Sequence, residues 1–444
     1  MAISQSKIKF KPLPRKVLEV LRSNANEIYY VGGYVRDVLL GLPTQDRDIL
    51  VRGPKLTELV EILSPIGRAE LVGKSFNLVR FWYKGERFDI VVPSRRTPAG
   101  SIPEPRMSLI DDLKCRDFTI NAIAWDILKR GVIDPLKGLE DLENRLLRAT
   151  GKNAFIDDPL RILRMCRLAS KLGFKIDDGT FLAAKECANK LQTVFKERIG
   201  DEFGKIMLLE KPSIALRCLH EVGALKVILP ELSECVGVSQ PGGIHAYNVF
   251  EHILRTVDET PADLLVRFAA LFHDITKPRH KIIGDDGRAR FYGHQESSAK
   301  VASRWLKKFA FSHKLADNVA KLVRLHMFTH AQTEKGIRRF IRKVGEELLE
   351  PLFELRFADT KAQGHGDLEA EIKYKNRVYE VLSKKPPLSV KDLAIDGHDV
   401  MRILGIPPGK KVGEVLNFLL EKVLEDPKLN EKEKLEKLII ENFG

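Results

Sequence analysis

At 444 residues the chain is longer than one ordinary hydrophobic core accommodates, and two to four domains are expected. Hydrophobic residues make up 44% of it, a globular value that excludes a disordered chain; no apolar run reaches the ~20 residues of a membrane span. The formal net charge of +13 favours a polyanionic partner, although 30% charged residues equally suit a solvated lysine- and glutamate-rich surface.

The first 27 residues are read as an N-terminal extension; they carry charge but no apolar signal core, so a cytoplasmic protein with no membrane partner is expected. From Ile28 to Val31 a β-prone stretch runs into Gly32-Gly33, and a helical pattern covers Tyr34 to Leu40 before Gly41 and Pro43 stop it. A second apolar strand carries Asp46 and Asp48 at its leading end. Paired glycines let a backbone approach a phosphate closely, and the helix behind them directs its positive end there. Two carboxylates two apart on a strand leave by the same face and can hold a pair of Mg²⁺ ions roughly 4 Å apart for in-line attack on a phosphate. Gly-Gly alone is a common turn and Asp-x-Asp alone a common solvated loop; their order and spacing carry the functional reading.

The run VGGYVRD…DRD resembles class II transfer-RNA nucleotidyltransferases and bacterial poly(A) polymerases. The resemblance implies an α/β, polymerase-β-like head with a mixed sheet (residues 28–150), followed by an all-α neck (151–232), an HD-like body (233–375) and a helical tail (376–444). Within the head, KLTELVEILSPIG reads as an amphipathic helix, and AELVG, FNLVRFWY and RFDIVVP as strands, the last two joined by a Lys84-Gly85 turn. Asp89 is either a third metal-facing carboxylate or a satisfied strand-end residue. Residues 94–108 read as a Pro/Gly-rich loop, which in similar enzymes helps the site switch from accepting C to accepting A. KCRDFTINA is similar to the family's second motif with Cys115 in place of its first arginine, and the nucleotide-contacting role falls to Arg116. Asp117 is left between binding a ribose and capping a helix over TINAIA, and GLEDLENR is a short structural helix.

In the neck, a helix is expected to start at Pro159. Asp158, Arg161, Arg164 and Arg167 recur every three residues along it, which by itself describes a salt-bridged surface ladder. The same set suits base recognition. Cytosine and adenine each present an amino donor beside a ring-nitrogen acceptor, which a carboxylate and a guanidinium match; uracil and guanine present a carbonyl that a carboxylate repels. The match to the family's Glu-Asp-x-x-Arg motif implies that Asp158 and Arg161 read the base while Arg164 and Arg167 assist. Gly33, Arg36 and Arg116 complete the expected nucleotide site, and Glu197, Arg198 and Glu202 are read as packing and capping residues.

Further on, His252, His273-Asp274 and Asp359 resemble the ordered ligands of HD-type phosphohydrolases, with His294 and His326 as supplementary ligands and a second divalent metal as the implied cofactor. The tail begins near Pro386, and Lys410 and Lys411 near a helix start are candidates for RNA phosphates or for a solvated loop. Five cysteines (Cys115, Cys166, Cys187, Cys218 and Cys235) show no CxxC spacing and are read as reduced core or filler residues. The expected activity is template-independent addition of C and/or A to the 3′ end of tRNA from CTP and ATP, with Asp46 and Asp48 catalytic and Mg²⁺ the cofactor. A CC-adding or A-adding specialist, a poly(A) polymerase, and a non-catalytic RNA-binding protein are the alternatives.

Overall fold

The computed structural model describes residues 10–44, 47–72, 78–97, 100–241, 247–364 and 367–444. They fall into two units, Met1–Ser233 with Lys308–Ala310, and Glu234–Lys307 with Phe311–Gly444.

The first unit opens with a helix, α1 (Arg15–Asn24), inside the stretch expected only as an extension; it buries Val17 and Leu21. Strand β1 (Glu27–Val31) is buried from Ile28 onward and leads into α2 (Gly32–Leu39), so the helix begins at the glycine pair itself, two residues before the expected start. β2 (Arg47–Arg52), α3 (Leu56–Leu63), β3 (Arg68–Val72), β4 (Leu78–Tyr83) and β5 (Glu86–Val91) follow. Lys84 and Gly85 both take positive φ, 49° and 80°, as a tight turn between antiparallel strands requires.

The described residues of 94–108 include paired strands where a loop was expected. β6 (Ser94–Thr97) and β7 (Gly100–Pro103) pair as a hairpin, tied across by Arg95 and Glu104 at 3.1 Å. Helix α4 (Leu109–Lys114) is capped by the Ser108 hydroxyl, which accepts from the Asp111 amide. The helix expected over TINAIA is reduced to a single 3₁₀ turn, Thr119–Asn121. Sheet pairing overrides it, because β8 (Ala124–Asp126) must register with β1, Ala124 opposite Val31. β9 (Gly131–Ile133) closes the sheet, and α5 (Gly138–Glu143) matches GLEDLENR.

The seven strands lie in the order β3-β4-β5-β2-β1-β8-β9. β2 and β5 run parallel, which sets Asp48 opposite Asp89 and Leu50 opposite Val91. Since side chains alternate along a strand, Asp48 shares a face with Leu50. Leu50 is buried there with Tyr29, Val31, Leu109 and Leu113. The acid therefore sits at the open end of a face whose other end α4 covers.

Helices α6 (Ala154–Asp157), α7 (Arg161–Leu172), α8 (Asp178–Cys187), α9 (Lys196–Met207) and α10 (Pro212–Glu221) follow in this unit. The break before α7 falls at Asp158, which is extended (φ −147°, ψ 96°), so regular helix starts at Arg161 and not at Pro159. α7 ends at Gly173 in the left-handed region, φ 64°. The reading of all five cysteines as reduced is corrected here. Cys166 of α7 and Cys218 of α10 are joined in a disulfide, Cα–Cα 5.5 Å, brought together by helix packing from 52 residues apart.

Among its described residues the second unit is helical apart from a short hairpin, Ile282–Ile283 with Ala289–Arg290. Its last helices, Gly397–Leu404, Lys410–Glu425 and Lys432–Phe443, share a core that includes Val400, Val415, Leu419, Leu435 and Ile439. Among the described residues no helix is long and apolar enough to cross a membrane.

Candidate active site

Within the first unit a cleft of about 390 Å³ opens where the end of the sheet meets α7 and α9. Gly32, at φ 68°, makes the turn from β1 into α2. A Cβ at this position would stand 3.1 Å from Nη1 of Arg116 and 3.4 Å from Oδ2 of Asp48, so glycine is favoured by the positive φ, and a side chain there would also crowd the arginine. Those distances also place an acidic and a basic side chain beside the glycine turn. Asp46, the other expected catalytic acid, lies outside the described residues.

Burial pushes the Asp48 carboxyl up to about 6; Arg116 opposes the shift and Asp89 adds to it. Asp89 itself pairs with Arg80 at 3.0 Å. Arg116 is held by Asp112 at 2.9 Å, and Asp112 in turn accepts from the Ser94 amide at 3.0 Å. The hairpin and the arginine are thus tied through one buried carboxylate.

Asp117 links the second motif to the neck. Its Oδ1 accepts from the Phe118 amide and from Asn121 Nδ2, each at 2.9 Å, and its Oδ2 accepts from Arg164 Nε at 2.8 Å. Burial alone would raise its pKa; Arg164 and Arg161 overcome that and hold it well below the usual carboxylate range. With no full helix after it, Asp117 acts as a brace between the 3₁₀ turn and α7.

Of the expected nucleotide contacts, Gly33, Arg116, Asp158, Arg161 and Arg164 line the cleft together with Asp48. Arg36 does not: it is buried, bonded to Asp37 and, at 2.7 Å, to the Asn121 side chain, so it braces the wall from behind. Arg167 is likewise turned aside into an ion pair with Glu202 of α9. An i, i+3 ladder drifts around a helix of 3.6 residues per turn, so its last rung faces a different neighbour from its first.

The sequence reading missed Asn121, Asp201 and Lys205, and took Arg198 for packing; all four line the cleft. For the three on α9 the signal was present as positions 198, 201 and 205, which share a face of that helix with Glu202, but nothing local says which neighbour that face meets.

A second cluster lies wholly in the other unit. His252, His273, Asp274, His294, His326 and Asp359 are all buried. His252 Nε2 is 3.2 Å from His273 Nε2 and 3.0 Å from Asp359 Oδ1, and His294 Nε2 is 3.1 Å from Asp274 Oδ1. The Nδ1 atoms of His273, His294 and His326 lie 2.7, 2.6 and 2.7 Å from backbone carbonyls, which assigns their protons to Nδ1 and turns the Nε2 lone pairs toward the carboxylates. Nitrogen and oxygen donors converging in this way form a set suited to a divalent transition metal.

Residues 28–148 match the model of the poly A polymerase head domain, 173–235 that of the RNA and SrmB binding site of polymerase A, and 291–439 that of tRNA nucleotidyltransferase domain 2. The chain is 35% identical to a CC-adding tRNA nucleotidyltransferase of Thermus thermophilus, covering 89% of each chain. It is 33% identical to an A-adding tRNA nucleotidyltransferase of Deinococcus radiodurans, over 88% of this chain and 90% of that one. Its fold is similar to the crystal structure of the Bacillus stearothermophilus CCA-adding enzyme in complex with CTP, with TM-score 0.69 and 25% identity over 96% of this chain and 95% of that one.

Proposed function

This chain belongs to the tRNA nucleotidyltransferase family, and on that premise we propose that it adds C and/or A, without a nucleic-acid template, to the 3′ end of tRNA from CTP and ATP. The observation that carries the reading is the cleft that brings Gly32, Asp48 and Arg116 together with Asp158 and Arg161. Its partners are then the tRNA terminus and the two nucleoside triphosphates. A cytoplasmic location accords with such a substrate.

Asp48, with Asp46 two residues before it in the sequence, is the proposed holder of Mg²⁺. The donor chemistry fits: a carboxyl that burial leaves at about 6 despite Arg116 has room for more positive charge, and hard oxygen ligands suit Mg²⁺. Such an ion supplies charge stabilisation at the attacking 3′-hydroxyl and the leaving pyrophosphate. The chain's own residues do the rest. Gly32 and Gly33 let backbone amides approach the triphosphate, Arg116 offsets its charge, and Asp158 with Arg161 matches the amino and ring-nitrogen pattern shared by C and A.

The test is to offer tRNAs ending before C, before CC and before A, with CTP and ATP separately and together, and to count residues added. Addition that stops after C74-C75 or adds only the final A identifies a specialist, long A runs on many RNAs a poly(A) polymerase, and no incorporation at all removes the proposal.

A second reading is favoured by the histidine cluster: a divalent metal site of HD type, with hydrolysis of a terminal phosphate as its activity. Convergence of four Nε2 atoms on Asp274 and Asp359 supports it. Calorimetric binding of Mn²⁺ or Ni²⁺, and phosphate release lost in His273→Ala, are the expected results; no metal uptake ends this reading.

A further inference from the structure

Asp158 and Arg198 come from different elements, 40 residues apart, and meet inside the cleft. Arg198 Nη2 donates to Asp158 Oδ2 at 2.7 Å, and both side chains are largely shielded from solvent. The other carboxylate oxygen, Oδ1, accepts weakly from the Leu160 amide at 3.3 Å. Asp158 lies at the extended break between α6 and α7, its amide donating to the Ala154 carbonyl at 3.4 Å and its carbonyl accepting from the Arg161 amide at 3.1 Å. These bonds hold the backbone but not the side-chain rotamer, so the orientation of the carboxylate depends on what grips it. α9 is well placed to do so, because Glu202, one turn beyond Arg198, is clamped by Arg167 of α7. That clamp fixes the register of α9 against the same helix that carries Arg161.

A carboxylate discriminates between bases by direction. Aimed at the exocyclic position, it accepts from the amino group of C or A and repels the carbonyl of U or G; swung away, it does neither. Holding Oδ2 on a guanidinium leaves Oδ1 as the oxygen that can turn toward a base edge. We infer that Arg198 is a positioning residue for nucleotide selection, aiming the Asp158 carboxylate at the base from α9. The inference rests on the reading of Asp158 given above and adds to it the residue that sets its aim.

Full-length Arg198→Met, Arg198→Lys, Asp158→Ala and the Arg198→Met/Asp158→Ala double variant are compared with the parent chain on a tRNA acceptor, with kcat and KM measured for CTP and for UTP. Arg198→Met is expected to raise KM for CTP about tenfold with kcat changed less than about threefold, and to narrow the CTP-to-UTP ratio of kcat/KM by roughly tenfold or more. Arg198→Lys restores most of that ratio, since one donor to Oδ2 suffices. In the double variant the loss of ratio equals that of Asp158→Ala alone, as two residues acting through one group do not add. An unchanged ratio in Arg198→Met, or additive losses in the double variant, overturns the inference. A ratio that survives Asp158→Ala overturns the parent reading instead. Arg198→Gln, which keeps a donor and most of the volume, carries the comparison if the methionine variant does not fold; its ratio is then expected to fall between those of the lysine variant and Asp158→Ala, and a parental ratio counts against the inference.

Discussion

Asp48, the proposed Mg²⁺ holder, is desolvated at the expense of stability. Burial raises its pKa from 3.8 to about 6, so between those values the folded chain binds more protons than the unfolded one, and stability falls as pH rises through that window. Above pH 6 the penalty is complete. Asp48→Asn removes it and is expected to raise the unfolding free energy at pH 7.5, in EDTA, by roughly 2–3 kcal/mol. The same variant is expected to lower turnover by at least about a hundredfold. Urea unfolding and single-turnover incorporation check the two halves, and a variant that is no more stable yet fully active would contradict both. Asp117 is the opposite case. Held below the usual range by Arg164 and Arg161, it contributes stability that is present above pH 4 or so and is lost as pH falls. Asp117→Asn is expected to cost roughly 2 kcal/mol at neutral pH, less than for a fully buried pair because Arg164 keeps partial exposure, and a thermal melt measures it.

At the scale of elements, the disulfide ties α7 to α10 across 52 residues of chain. A loop of that length lowers the entropy of the unfolded state enough for about 4 kcal/mol of stabilisation in the chain-entropy account. Denatured without reductant, the chain is expected to titrate three thiols, Cys115, Cys187 and Cys235, and five after reduction; a melt with and without dithiothreitol reads the stability difference. Five reactive thiols without reductant would sink the cross-link. Neither partner could be picked out from spacing, because packing of two helices decides which sulfurs meet. The same limit applies to α7 itself. Its every-third-residue charges were legible, and so was the helix, but Arg167 meets Glu202 while Arg161 reaches the carbonyls of Ala154 and Cys115. Periodicity names a face; the neighbour on that face is a tertiary fact.

For the whole molecule, the net charge of +13 predicts an electrostatic grip on tRNA that weakens as counterions compete. Filter binding between 50 and 200 mM salt is expected to show a linear fall in log affinity against log salt, with a loss of roughly tenfold or more. A flat profile would assign the lysines and arginines to solvation alone. The buried histidine cluster illustrates how far assembly goes beyond composition: its side chains come from helices spread over about a hundred residues and converge only when Val249–Asp258, Leu264–Phe272, His294–Lys308, His313–Leu325 and Glu346–Gln363 pack.

The glycine pair between strand and helix, the alternation of the sheet strands and the Asp-x-x-Arg spacing are local patterns, set by allowed backbone angles and by the periods of strand and helix. From these alone the head fold and the family could be read, and with them the residues proposed for its chemistry. What the linear order could not contain is which side chains face one another: Asp48 against Asp89, Arg36 behind the wall and not in it, Arg198 on Asp158, and Cys166 on Cys218. Each of these depends on two elements docking, and docking is decided by the fit of entire buried faces, a property no single stretch of sequence possesses.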